Sequence, residues 1–443
     1  MTFDVSVIRA PCHLITLACF LSESTRTASS ILFLLCTRPR PSGRNVTASR
    51  FAGSVEQSFS FFGRPVRINP LRQRSIVLFG IGHTNAHIVR EWAMNPVPDC
   101  RLVCVSKFPT ATYSGMLPGT LAGQFSEKEM QIDLTRLTQQ CGAQLILDEV
   151  TGIDWAQQTL HFASTTSVTF DVISIGVGSV PAGLTGVQSG SLIATKPMQT
   201  FLQRLEARLA VVYPRAGKNM NLVIVGGGVA SVEIALCFLP RLRFEFPHVS
   251  VKLRLVTAGE EIVPELSPRS AFRIKKILAD RGVEVLTNSR VTTVDDSSIT
   301  VSDGRQLSAE GVIWATGATA PPVLSRLGLP VDERGFIQTH RTLQTTADLP
   351  AFAVGDCGSI VGSPTPKAGV YAVRQAPVLW HNLRAYLTNA AMQEFHPQGE
   401  FLKLINTGDG KALLQYSSLS IHARWCWTLK TWIDRRFLRP FQV

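Results

Sequence analysis

Cysteine pairs, long apolar runs and, at the amino end, acidic residues are what this 443-residue sequence lacks. Its nine cysteines include no CxxC pair and no regular spacing. That excludes a secreted disulfide framework and a paired-cysteine zinc site, and points to a reducing compartment. No apolar run approaches the roughly 20 residues needed to cross a bilayer. Leu14–Leu21 and Ile31–Cys36 are too short, and no transmembrane helix is expected. Before Ser75, Arg9, Arg26, Arg38, Arg40, Arg44, Arg50, Arg64, Arg67, Arg72 and Arg74 face only Asp4, Glu23 and Glu56. Such an Arg- and Ser-rich, acid-poor stretch has the composition of an organellar targeting leader, and equally of a disordered leader or of translated sequence ahead of a true start. Residues 1–74 are therefore set apart from the fold.

What is present is enough apolar sequence, 45%, for two or three cores, since a single core rarely extends beyond roughly 250–300 residues. The net charge of +12 favours an anionic partner: a phosphorylated ligand, a membrane headgroup or nucleic acid. No nucleic-acid-binding module is recognisable, so nucleic acid is not expected.

The first ordered signal is Ser75-Ile-Val-Leu-Phe-Gly80-Ile-Gly82-His83-Thr84-Asn85. An apolar strand runs into a Gly-x-Gly turn and then a helix, Ala86 to Trp92. Gly80 permits the tight bend, and Gly82 lets backbone approach a pyrophosphate held by the unpaired N–H groups at the helix start. His83, directly after the turn, joins the expected cofactor contacts. Asn85 stands where a third glycine would allow close strand–helix packing. A second strand, Arg101–Ser106, follows at the distance where such folds carry a ribose-binding acid. Ser106 and Lys107 are found there instead, so the Ser106 hydroxyl or backbone must serve. Cys100 and Cys104, on or beside this strand, read as core thiols.

Asn221-Leu-Val-Ile-Val-Gly226-Gly227-Gly228-Val-Ala-Ser231-Val-Glu233 repeats the design with a closer fit. Small Ser231 takes the third position, and a helix is expected from Val229 to Leu239. The partner strand, Val251–Val256, ends in Thr257-Ala258-Gly259, without the acid that would reject a 2′-phosphate; the choice between NADH and NADPH is open. Two such turns in strand–turn–helix context predict two bound dinucleotides. Strands at Val291–Val294, Ile299–Val301 and Val312–Ala315 and a helix at Ser270–Arg281 complete an alternation that predicts an α/β fold of two Rossmann-like domains with parallel sheets. Phe170–Gly178 and Gly311–Gly317 each run an apolar strand into glycines. These segments are expected to carry the chain between the domains, with Gly178 and Gly317 against the cofactors.

With both turns, Ala315-Thr316-Gly317 and Phe352-Ala-Val-Gly355-Asp356-Cys357, the chain resembles the two-dinucleotide-binding-domain flavoproteins, among them type II NADH dehydrogenases and sulfide:quinone reductases. Tyr113-Ser114-Gly115-Met116-Leu117-Pro118-Gly119, Pro366–Gln375 and Trp432–Phe437 are similar to the NADH dehydrogenase-like flavoproteins that also occur fused to the front of selenide, water dikinase. The resemblance implies FAD on the Gly80–Asn85 turn, closed over by Gly355 and Asp356, with Asp356 toward the ribitol or pyrophosphate. It implies Tyr113, Ser114 and the loop to Gly119 near the flavin ring, Lys367, Ala368 and Gly369 by its pyrimidine edge, and NAD(P)H on Gly226–Glu233. It also implies an FAD-binding domain in two parts, 75–190 and 316–390, around an inserted NAD(P)-binding domain, 191–315, with a C-terminal segment, 391–443.

Flavin chemistry asks the protein for orientation and electrostatics rather than a nucleophile. The resemblance makes Glu233 the carboxylate between the nicotinamide and flavin sites. Thiol-reducing variants need a cysteine pair after the first turn; His83–Trp92 holds none, and Cys141, Cys237 and Cys357 are far apart in sequence. His83 and His87 share a helix face without an evident third ligand, so no metal is expected. The expectation is an enzyme that passes hydride from NAD(P)H to FAD and electrons to a quinone-like acceptor. Sulfide oxidation and a redox accessory role in selenophosphate synthesis are the alternatives. Against quinone stands the altered glutamine motif of the type II enzymes, with Val370 where its first glutamine would align and Gln375 at the second. The tail places Trp425, Trp427, Trp432, Phe437 and Phe441 among basic residues, a composition that suits an anionic membrane surface or packing on the flavin domain or on a second copy in a homodimer. A cytoplasmic protein, peripheral on the inner face of a membrane, is the expectation, with organellar targeting by residues 1–74 as the alternative.

Overall fold

The computed structural model describes residues 73–184, 187, 189–215 and 217–442. Residues 1–72, and with them the targeting expectation, lie outside the described residues. In chain order the elements that position the site are β1 (Arg74–Phe79), α1 (His83–Met94), β2 (Cys100–Ser106), β3 (Gln144–Leu147) and β4 (Val172–Ile175). Then come β5 (Leu192–Ala194), β6 (Asn219–Val225), α2 (Val229–Glu245), β7 (Ser250–Val256), β8 (Glu284–Leu286) and β9 (Gly311–Trp314). The chain finishes with β10 (Ala351–Ala353), α3 (Gly369–Thr388), β11 (Lys403–Asn406), β12 (Ala412–Tyr416), β13 (Leu419–Ala423) and α4 (Arg424–Leu438).

The α/β expectation holds in detail. Two five-stranded parallel sheets have orders β10-β4-β1-β2-β3 and β5-β9-β6-β7-β8. Each glycine turn leaves a central strand, β1 or β6, beside the strand that ends its unit. Both faces of these strands are buried, which explains their unbroken apolar runs: Ile76 and Leu78 enter one core cluster while Val77 and Phe79 enter another, and Leu222 and Ile224 divide from Val223 and Val225 in the same way. In each unit a three-stranded antiparallel sheet, Val150–Thr169 or Val291–Ser308, precedes the returning strand. Only the outermost strand breaks the repeat. In the first sheet it is β10, reached after the whole second sheet; in the second it is β5, entered first. That nesting makes the second unit an insertion, and its two connections pair antiparallel, Val180–Pro181 against Ala318–Thr319.

The helices run longer than expected, α1 over His83–Met94 rather than Ala86–Trp92. α2 continues through Pro240 to Glu245 rather than stopping at Leu239. Proline removes one backbone donor, and burial of Leu242 on the far side keeps the last turn in register. After α3, the antiparallel sheet β11-β12-β13 leads into α4. No described helix is long and apolar enough to cross a membrane.

Candidate dinucleotide sites and the buried network between them

The first turn closes tightly. Gly80 has φ +83°, and a Cβ there would lie 2.8 Å from the Gly176 backbone. Asn85, in place of a third glycine, is buried and is a fastener: its Nδ2 donates to the Gly80 carbonyl (2.8 Å) and its Oδ1 accepts from the Ser174 hydroxyl (2.8 Å). The start of α1 carries no side-chain cap and no acid in its first turn, leaving N–H donors open to an anion. His83 Nε2 is buried without a partner, and burial lowers its pKa to about 4, the Asp356 charge opposing. Ser106 is already engaged, its hydroxyl donating to the Phe108 carbonyl (2.8 Å) and accepting from the Phe108 N–H (3.2 Å).

The Gly355–Asp356 turn comes up beside this helix. Gly355 has φ +65°, and its N–H donates to Gln375 Oε1 at 2.6 Å. Asp356 Oδ2 accepts from the Ser179 hydroxyl (2.7 Å) and faces Lys196 Nζ at 3.4 Å; Lys196 also donates to Ser179 (2.6 Å). Burial pushes this carboxyl up, but Lys196, Ser179 and Lys367 outweigh it and hold it below the usual carboxylate range. Lys367 donates to the Gly358 carbonyl (2.6 Å) and lies 4.0 Å from the Phe336 ring centre, with its pKa lowered by burial. Ala368 is the N-cap of α3, which is tied to α1 by the Thr84 hydroxyl donating to the Ala372 carbonyl (2.7 Å). At Gly178 and Gly317 a Cβ would meet nothing within 4 Å, so both border open space.

At the second turn Gly226 has φ +134°, and a Cβ would fall 2.3 Å from the Ala315 carbonyl. Buried Ser231 donates to the Gly228 carbonyl (2.8 Å). Glu233 is half-buried. Its Oε1 accepts from the Asn406 N–H (2.7 Å), and burial pushes its pKa up to about 7 against the pull of Lys430.

α4 lies across the inner end of both turns. Buried Lys430 donates to Asp434 (3.0 Å) and to the Gly115 carbonyl (2.8 Å), and Asp434 accepts from the Tyr113 hydroxyl (3.0 Å). Burial lowers the Lys430 pKa, but Asp434 and Glu233 raise it overall; Asp434 and Tyr113 are both raised, chiefly by burial. The Tyr113 ring stacks on Phe437 at 4.5 Å, His83 lies 5.5 Å from Phe437, and His87 packs on Phe437 and Phe441 at 5.4 and 5.1 Å. Tyr113 and Ser114, which begins a 3-10 turn, are thus held by the tail. The tail divides its aromatics: Phe437 and Phe441 pack inward, while Trp425 and Trp432 are 47% and 46% exposed.

Lys196, Lys430 and Asp434 border these turns without having been expected there from the sequence. Only the last two left a signal, a Lys and an Asp four apart within an aromatic helix. Burial raises the Cys357 thiol to about 11 and raises Cys104, Cys141 and Cys237, which keeps them protonated at neutral pH.

These features fit two dinucleotides. Each turn would be filled by any side chain larger than hydrogen, α1 offers uncapped N–H groups, and the orphaned His83 nitrogen and ionised Asp356 border the first. A family model, pyridine nucleotide-disulphide oxidoreductase, matches residues 74–381. The chain is 26% identical over 201 residues to a type II NADH:quinone oxidoreductase of Haemophilus influenzae, covering 42% of this chain and 45% of that one. It is 26% identical over 277 residues to demethylphylloquinone reductase NdbB of Synechocystis sp., covering 59% and 66%. The matches thus span about half to two thirds of those relatives. The fold is also that of the sulfide:quinone oxidoreductase of Aquifex aeolicus (TM-score 0.68, 16% identity, 83% of this chain and 91% of that one) and of NDH2 from Plasmodium falciparum in complex with NADH (0.68, 13%, 83% and 98%). FAD and NAD(P)H are the cofactors of this group, and with two thirds of its length matched, the chain belongs to the pyridine nucleotide-disulphide oxidoreductase family.

Proposed function

We propose that this protein is an NAD(P)H:quinone-type oxidoreductase, with FAD on the Gly80–Asn85 turn and NAD(P)H on the Gly226–Glu233 turn. The domain limits implied by the sequence, FAD in 75–190 and 316–390 and NAD(P) in 191–315, belong to the same proposal. The carrying observation is the bonded chain of buried Lys430 and Asp434 with half-buried Tyr113, on the loop assigned to the flavin ring, with the charge of Lys430 felt by half-buried Glu233 on the helix of the second turn. Bound FAD supplies hydride acceptance and onward electron transfer. The open N–H groups at the α1 start bind the pyrophosphate, and Asp356, kept ionised by Lys196, accepts from cofactor hydroxyls. Tyr113 and Ser114 border the ring because α4 holds their loop, and Lys367 with Ala368 presents a cation and a helix start at its edge. Quinone reduction by NADH consumes one proton beyond the hydride. Glu233, with a pKa of about 7, can hold that proton on its carboxyl at neutral pH, with Lys430 fixing the charge beside it.

The outer face of α4 supports a membrane-borne acceptor. Arg424, Trp425, Thr428, Trp432, Arg435, Arg436 and Arg439 are exposed, and Trp425 and Trp432, seven residues apart, share one helix face. Aromatic rings and cations so placed suit an anionic headgroup layer, and peripheral attachment belongs to the proposal. The raised thiols favour neither sulfide oxidation nor dithiol reduction. The test is NAD(P)H oxidation by the FAD-loaded protein with a short-chain quinone, with and without anionic vesicles. Quinone-dependent turnover is expected; flavin that stays oxidised with both NADH and NADPH would overturn the reading.

A further inference from the structure

The second turn differs from the first in one respect that neither the family nor the proposed reaction requires. Its helix start is occupied by an anion of the protein's own. The Val229 N–H, first of α2, donates to Glu265 Oε1 at 2.7 Å, and the same oxygen lies 3.4 Å from where a Gly228 Cβ would stand. The carboxylate is delivered by the loop after β7, which folds back onto the glycines. The Val263 N–H donates to the Gly227 carbonyl at 2.6 Å. Val263, fully buried, has φ +49°, a region that β-branched residues rarely enter. The Val263 contact thus holds Glu265 against the α2 start, whereas α1 has no counterpart and starts uncapped.

We propose that Glu265 is a self-ligand of the nicotinamide turn: its carboxylate competes with the dinucleotide pyrophosphate for the α2 start, and so sets the affinity of this site below that of an open turn. This rests on the assignment of the Gly226–Gly228 turn to the nicotinamide dinucleotide. One N–H cannot serve both anions at full strength, and two anions at one helix start repel. The side chain is exposed and free to swing out, and the Lys403 ammonium, bonded to the Glu265 carbonyl, is at hand to receive it. The arrangement favours release of the oxidised nucleotide, because the vacated donors are recaptured by a group that never leaves.

Calorimetric titration of the FAD-loaded full chain with ADP-ribose, which carries the pyrophosphate but no nicotinamide, tests this without turnover. Glu265→Ala should lower the Kd about three- to tenfold, and Glu265→Gln, which keeps an acceptor but loses the charge, should lower it less. Glu261→Ala, on the same loop but facing Lys275 at 3.7 Å, should leave it near wild type. An unchanged or higher Kd in Glu265→Ala would overturn the proposal, the latter by making Glu265 a support of the turn. Gly228→Val separates the two readings: if it abolishes ADP-ribose binding, a failure of Glu265→Ala counts against the self-ligand alone. If it binds as wild type does, the site assignment falls and the self-ligand with it.

Discussion

Superposed by their motifs, the two glycine turns place His87 and Glu233 at the same helix position, five residues past the second glycine. Both side chains are half-buried beside the C-terminal segment, His87 against Phe437 and Phe441, Glu233 bonded to the Asn406 N–H and within reach of the Lys430 charge. Burial favours the neutral form of both, by opposite routes: it lowers His87 to about 4, so that it is uncharged at neutral pH, and raises Glu233 to about 7, so that it exchanges a proton there. The same low-dielectric position therefore yields an inert, uncharged wall in the first unit and a proton-holding group in the second. A repeated fold can thus divide labour by changing one residue type at one register position.

The largest expected effects test the division of cofactors. Gly80→Val should yield protein without bound flavin, because a Cβ there meets the Gly176 backbone at 2.8 Å and φ is +83°. Gly228→Val should keep the flavin and lose nucleotide affinity by roughly two orders of magnitude, the scale of a lost set of charge-assisted bonds. Flavin absorbance of the purified variants reads the first, and nucleotide titration the second. Loss of flavin in both would break the comparison.

Next in size is acid sensitivity. Both histidines of α1 have folded pKa values of about 4 against 6.5, so the folded state takes up protons later than the unfolded one. Their contribution is complete above pH 6.5 and is lost as pH falls from 6.5 to 4, by up to about 1.4 kcal/mol per pH unit for each. Glu233, raised from 4.5 to about 7, works the other way, its contribution complete below pH 4.5 and lost as pH rises to 7. Urea denaturation across this range should show a flatter acid limb for His87→Phe and a steeper rise between pH 4.5 and 7 for Glu233→Gln; the reverse signs would show that burial does not neutralise these groups.

Smaller still is the third position of each motif. Asn85→Ala removes three hydrogen bonds, one to the Gly80 carbonyl and two with Ser174, and should cost about 2–3 kcal/mol. Ser231→Ala removes one, to Gly228, and should cost about 1 kcal/mol. Equal losses by denaturant melting would mean that Asn85 is not the fastener of its turn. The mildest change is expected in kinetics, where Glu233→Gln should erase an inflection near pH 7 in the quinone-dependent rate; an inflection that persists would assign it elsewhere.

The fold was legible because a parallel strand buried on both faces must be apolar throughout, so Ser75–Phe79 and Asn221–Val225 stand out, and because tight backbone approach leaves glycine at fixed spacing. Asn85 was legible as a departure but not as a fastener, since its value lies in Ser174, distant in sequence. The site was only half visible for the same reason. Lys196 reaches Asp356 across a fold junction, Glu265 reaches Val229 from a neighbouring loop, and neither pairing leaves a local pattern. Glu233 was readable by position, yet its burial depends on Asn406 and α4, which sequence alone does not bring to it. The tail's composition suited two roles, and the structure divides them by face, Phe437 and Phe441 inward and Trp425 and Trp432 outward.

The most direct test is anaerobic stopped-flow mixing of the FAD-loaded protein with NADH and with NADPH, wild type beside Gly228→Val. The account predicts rapid bleaching of the flavin in wild type by at least one of the two nucleotides, and flavin that stays oxidised on the same timescale in Gly228→Val. Bleaching at equal rates in both proteins would contradict the assignment of separate flavin and nicotinamide turns.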